Sequence, residues 1–248
     1  MNRRAACRLL GSGAVGVALS APRAVAAPVA SYTVKGDGPV LITFDRAPAG
    51  SFDPLASRYR VVVIQYPPEA PSADFIESFT ADRVSADILA VADAVGASRF
   101  AWFGFSWGAV AGLQLAARTD RLTALICGGW PPIGAQYAET LAVTEVQAAR
   151  GGSALFRTYY RSLRSWDERA AVSAIKCPRF VFAGRQDRFV TNGGEIHIGQ
   201  SVAEHQAELE RMGWVVRFVD GIGHELGARP DLVLPLIRGF LDPLLHIG

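Results

Sequence analysis

Residues 100–117 read FAWFGFSWGAVAGLQLAA, and this stretch decides the fold. Phe100-Ala101-Trp102-Phe103 is an apolar run suited to a buried strand, and residues 109–116 carry the small and aliphatic side chains of a closely packed helix. Between them Gly104-Phe105-Ser106-Trp107-Gly108 fits G-x-S-x-G. With 25 glycines in 248 residues, roughly 0.15 such matches arise by chance, so the context carries the reading more than the string. Strand, sharp turn and helix in that order make a nucleophile elbow, which lifts the serine hydroxyl clear of the chain. At the helix N-terminus the free N–H groups and the dipole favour developing negative charge.

Outward from this segment, β-branched or aromatic runs at residues 40–44, 60–66, 124–127, 179–183 and 215–219 alternate with helical patterns. With residues 100–105 they make six expected strands of an α/β fold, a mostly parallel sheet covered by helices on both faces. The clearest helix spans 81–95, where Val84, Ile88, Val91 and Val95 share one face and Gly96 ends it. Further helices are expected over 109–117, 194–212 and 231–245, the last mildly interrupted by Pro235. No repeat or low-complexity linker divides residues 27–248, which read as one domain. The alternation breaks between the strands near 127 and 179, too long a gap for a simple connection. Residues 130–177 hold Trp130, Tyr137, Phe156, Tyr159, Tyr160 and Trp166, and are expected to form a small helical cap inserted there.

A serine hydroxyl is a weak nucleophile until a base takes its proton, and that base needs a carboxylate to orient it. Gly221-Ile222-Gly223-His224-Glu225 follows the last strand, which puts His224 at the C-terminal edge of the sheet, where Ser106 also emerges. His197 and His205 fall on a polar helical stretch and His246 lies two residues from the end, positions suited to surface or helix-end roles. Asp187 ends the loop after the strand at 179–183, again at that edge, and completes the order Ser, Asp, His. Asp220 competes, but it shares a short loop with His224 and suits a turn former.

With these residues the chain resembles the α/β-hydrolase superfamily over roughly residues 32–245, and Ser106, Asp187 and His224 match the family's triad positions. The resemblance implies a serine hydrolase acting on a carboxylic ester or related acyl compound through an acyl-enzyme, with no cofactor and no metal. The backbone amides of Arg46 and Trp107 would then form the oxyanion hole, and Trp107 and Trp130 would be the pocket aromatics nearest the chemistry. Gly-x-Ser-Trp-Gly also looks like the elbow of proline iminopeptidases. Those carry His-Gly-Gly-Pro-Gly after the first central strand, where this chain has Phe44-Asp45-Arg46-Ala47-Pro48. The Asp45 carboxylate is expected to turn outward, since an inward carboxylate would repel an oxyanion. Two other readings stay open: a hydrolase-like shell that binds without turnover, and a carbon–carbon hydrolase or perhydrolase on the same triad.

Composition narrows the field further. Half the residues are apolar and 19% are charged, which excludes a disordered chain. Net charge is +2 and the lysines are Lys35 and Lys176 alone, so there is no basic cluster for nucleic acid and the expected partner is a small acyl molecule. The first 26 residues pair Arg3-Arg4 with a weakly apolar run at 9–20 and end in Ala24-Val25-Ala26. They read as a twin-arginine-like export signal, too short in its apolar part to span a bilayer, so the expectation is a periplasmic or secreted protein with no membrane span if the segment is cleaved, and a cytoplasmic one otherwise. Loss of Arg3, Arg4, Arg8 and Arg23 with that segment turns the charge to −2.

Gly11-Ser12-Gly13-Ala14-Val15-Gly16 matches a dinucleotide-binding string, yet it follows a charged segment and no strand, and is rejected. No zinc or phosphate-cradle motif occurs. Cys127 ends one strand and Cys177 precedes the next, so the two are expected at opposite sheet edges as free, mostly buried thiols.

Overall fold

The computed structural model of the chain describes residues 30–45, 47–191 and 194–245. Arg46, His246, Cys7 and the expected export segment lie outside the described residues. In chain order the strands are β1 Ser31–Lys35, β2 Val40–Phe44, β3 Arg60–Gln65, β4 Phe100–Phe105, β5 Leu122–Gly128, β6 Arg179–Gly184, β7 Phe189–Thr191, β8 Gly194–Ile196 and β9 Trp214–Val219. The helices are α1 Ala73–Glu77, α2 Ala81–Ala94, α3 Trp107–Ala116, α4 Tyr137–Ala149, α5 Leu155–Arg161, α6 Glu168–Ala174, α7 Ile198–Glu204, α8 Gln206–Arg211 and α9 Pro230–Leu244.

Seven strands form one sheet in the order β1-β3-β2-β4-β5-β6-β9, with β4 at the centre. All neighbours are parallel except β1, which runs antiparallel to β3. The core strands β4 and β5 are buried nearly throughout, as strands covered on both faces must be. Alternate residues of β4 serve two hydrophobic cores. Phe100 and Trp102 face the one built with α2, α3 and the cap, while Ala101 and Phe103 face the one built with α9. Between β5 and β6 the helices α4, α5 and α6 form the expected cap.

Several elements depart from the sequence reading, α1 among them, which has no expected counterpart. β1 was not expected: its residues are mostly exposed, so pairing with β3, and not burial, defines it. The helix expected over 194–212 starts at Ile198 and is split at His205. Residues 194–196 instead pair with β7 in a short hairpin, and Ile196 turns inward. Cys127 and Cys177 are both free, the first buried and the second half-buried. Leu125 is level with Arg179 across β5 and β6, so Cys177 is level with Thr123, four residues or roughly 13 Å along the strand from Cys127. Among the described residues no helix is long and apolar enough to cross a membrane.

Candidate active site

The chain leaves β4 and enters α3 through one residue, Ser106, at φ 55° and ψ −120°. It is the only non-glycine residue at positive φ among those described, a conformation that costs on the order of 1–3 kcal/mol and persists only where the surroundings impose it. Two constraints do so here. The Ser106 N–H donates to the Gly128 carbonyl at 2.8 Å, while its own carbonyl already accepts from Ala109 and Val110 in the first turn of α3. Gly104 lets the strand pass against that turn, because a Cβ there would overlap the Gly108 carbonyl. The same carbonyl accepts the indole N–H of Trp102 at 3.1 Å, which ties the helix start to the strand beneath it.

His224 opens a short 3-10 turn after β9 and brings its imidazole over the elbow. Its Nε2 lies 2.9 Å from Ser106 Oγ, and its Nδ1 lies 2.8 Å from Asp187 Oδ1. The ring is flanked by Phe105, 5.3 Å away between centroids, and by Phe189 at 5.7 Å. Asp187 is 2% exposed. Its backbone is held on both sides: its N–H donates to the Gly184 carbonyl at 3.0 Å, and its carbonyl accepts from Gly199 at 2.8 Å. Burial raises the Asp187 carboxyl above its usual range, and the bond to His224 draws it partly back. Asp220 is elsewhere, mostly exposed and paired with Arg185 at 2.7 Å. His197 is exposed at the start of α7, and His205 sits at the α7–α8 junction with Nδ1 2.9 Å from the Ser201 carbonyl.

Ser106 opens onto a cavity of about 450 Å³ that spans the C-terminal edge of the sheet. Trp107 and Trp130 both line it. Trp107 is stacked on Phe44 at 5.1 Å with planes 11° apart, and it meets Phe156 edge-on at 5.3 Å. Of the cap aromatics, Phe156 and Tyr160 reach the cavity, whereas Tyr137 and Tyr159 pack behind it. Several wall residues were not anticipated, among them Phe52, Thr140, Thr144, Phe189 and Val233. The spacing of Thr140, Val143, Thr144 and Gln147 on one helical face is the one signal that could have found part of this set.

Around the expected oxyanion site, the Asp45 N–H donates to the Ile64 carbonyl at 2.8 Å, an extension of the β2–β3 pairing. Asp45 is exposed and does not line the cavity. Trp107 is the first residue of α3, where N–H groups have no acceptor within the helix. Among the described residues no cluster of His, Cys, Asp or Glu could hold a metal ion.

No family model matches the chain, and no curated protein matches it in sequence. Solved structures do match in shape. MenH from S. aureus superposes with a TM-score of 0.67 at 16% identity, covering 86% of this chain and 98% of its own. A carboxylesterase structure from the thaumarchaeon Nitrososphaera gargenis gives 0.65 at 14% identity, covering 88% and 96%. An alpha/beta hydrolase enzyme from a lagoon-sediment metagenome gives 0.63 at 15% identity, covering 87% and 95%. The chain has the α/β-hydrolase fold. In this fold the sheet places residues from three separate loops, after β4, β6 and β9, within hydrogen-bond reach of one another.

Proposed function

We propose that this chain is a serine hydrolase that cleaves a carboxylic ester or related acyl compound through an acyl-enzyme intermediate. The single observation that carries the reading is the continuous hydrogen-bonded path from Asp187 through His224 to a strained Ser106 at the floor of a mostly apolar cavity. Enzymes of the same fold whose structures resemble this one include carboxylesterases and an enol-lactonase, which favours acyl chemistry.

In this reading Ser106 Oγ attacks the ester carbonyl while its proton passes to His224 Nε2. The carbonyl electrons move onto the oxygen, which accepts hydrogen bonds from the Trp107 N–H and, from its place in the sequence, the Arg46 N–H. Collapse of that intermediate expels the alkoxide, which takes the proton from His224 and leaves Ser106 acylated. Water then repeats the sequence: His224 removes its proton, the hydroxide adds to the acyl carbon, and Ser106 leaves with the proton as the acid is released. Asp187 keeps Nδ1 protonated and stabilises the imidazolium formed in each half-reaction. Residues 1–26 are proposed to act as an export signal that precedes this domain.

Hydrolysis of short aryl esters together with labelling by a fluorophosphonate probe tests the mechanism. Ser106→Ala is expected to lose both. Protein that stays unlabelled and whose esterase activity is unchanged in Ser106→Ala would overturn it.

A further inference from the structure

The cavity is asymmetric about Ser106. On one side it is walled by Phe52, Phe103, Phe105, Val233 and Leu234, residues of the core built with α9, together with Thr43 and Ser51. Under the cap it is walled by one face of α4, where Thr140, Val143, Thr144 and Gln147 recur at three- and four-residue spacing. Thr140 and Thr144 are 7% and 6% exposed, in surroundings made largely of aromatic and aliphatic side chains. Valine has the same shape and no hydroxyl to desolvate, so an inert apolar wall would favour it at both positions.

Each hydroxyl has one proton, and both protons are already committed. Thr140 Oγ1 donates to the Gln136 carbonyl at 2.6 Å, and Thr144 Oγ1 donates to the Leu141 carbonyl at 2.8 Å. A hydroxyl that has given up its proton in this way still carries acceptor lone pairs and can receive a hydrogen bond. The cap side is thus lined by two threonines one helical turn apart whose hydroxyl oxygens keep acceptor capacity, while across the cavity Thr43 and Ser51 line the wall without sharing a helical face.

Resting on the hydrolase reading above, we propose that Thr140 and Thr144 set substrate specificity: the part of the ester held under the cap carries an uncharged hydrogen-bond donor, a hydroxyl or an amide N–H. A hydroxylated ester and its hydrocarbon isostere fill the same space and differ in what the two threonine oxygens receive. Each such bond is worth about five- to tenfold in relative kcat/KM.

Matched substrates test this on both sides of the ester. Propyl butyrate is compared with 2-hydroxyethyl butyrate, pentyl butyrate with 2-formamidoethyl butyrate, and ethyl 3-methylbutyrate with ethyl 3-hydroxybutyrate. The hydroxyl and formamide arms separate the two kinds of donor. In at least one pair the donor-bearing ester is expected to be preferred. The Thr140→Val/Thr144→Val double variant is expected to abolish that preference and Thr144→Ser to keep it, with the ratio of kcat/KM values as the readout so that a general loss of activity cancels. Equal kcat/KM within every pair, or a preference that survives the double variant, overturns the proposal. Calorimetric binding of the same pairs to Ser106→Ala protein reads the preference without turnover. A donor preference in binding with no hydrolysis by the wild type would overturn the hydrolase reading alone, and equal binding would overturn this one.

Discussion

Glu168, the first residue of α6, accepts the backbone N–H of Gly134 at 2.6 Å and that of Ala135 at 3.2 Å, and so ties the cap to the loop that leaves β5. Burial pushes its carboxyl up to about 7, although the two N–H donors and Arg169 pull the other way. Unfolded, the group titrates near 4.5. Between those values the folded chain holds a proton that the unfolded chain has released. Its stabilising effect is therefore complete below about pH 4.5 and is lost as pH rises through 7, to the extent of at most about 3 kcal/mol. Thermal unfolding between pH 5 and 8 should show this decline, and Glu168→Gln, which keeps an acceptor but cannot ionise, should flatten it.

Replacing Asp187 by Asn should lower kcat for ester hydrolysis by about 10³- to 10⁴-fold, because the amide no longer selects the tautomer that leaves Nε2 free to take a proton from Ser106. The substitution is nearly isosteric, so folding should be preserved. Circular dichroism together with steady-state kinetics checks both halves of the expectation. A loss of less than tenfold would mean that His224 is oriented by something other than this carboxylate.

Gly104→Ala should be among the most damaging single changes in the chain. The added methyl meets backbone at the start of α3, which cannot yield in the way a flexible side chain can. A cost on the order of 3 kcal/mol follows from such overpacking. Chemical denaturation would measure it, and soluble protein with unchanged stability would contradict the packing described for the elbow.

Asp87 receives the Tyr66 hydroxyl at 2.7 Å and the Arg83 guanidinium at 2.9 and 3.0 Å, and Tyr66 in turn stacks on Phe44. Asp87→Ala leaves a buried phenol and a guanidinium without their acceptor, at a cost of about 3 kcal/mol. Denaturant titration should record that loss, and the double change with Tyr66→Phe should recover part of it, since the phenol is then no longer stranded.

What could be read from the sequence follows the physics of burial. β4 and the elbow stand out because a strand covered on both faces must be apolar, and the turn leaving it needs glycine where backbone meets backbone. His224 and Asp187 could be placed because each ends a loop after a buried parallel strand, and such loops all open at one edge of the sheet. β1 left no comparable trace, since an exposed edge strand is defined by its partner. The helix expected from Gly194 failed because the apolar spacing there serves a hairpin first and two short helices afterwards. The cavity wall was hidden for another reason: which face of α4 turns inward is settled by contacts with the next helix, α5, and with β8, which lies beyond the whole cap in sequence, so Thr140 and Thr144 by themselves look like ordinary helix residues.

Because β4 delivers Ser106 at the seam between two separate hydrophobic cores, the two arms of the cavity share almost no supporting residues. Val233 and Leu234 belong to the core built with α9, whereas Val143 and Thr144 are carried by the cap helix α4. Either arm can accordingly be reshaped without disturbing the other or the elbow between them, which makes the two halves of a substrate separately selectable by substitution.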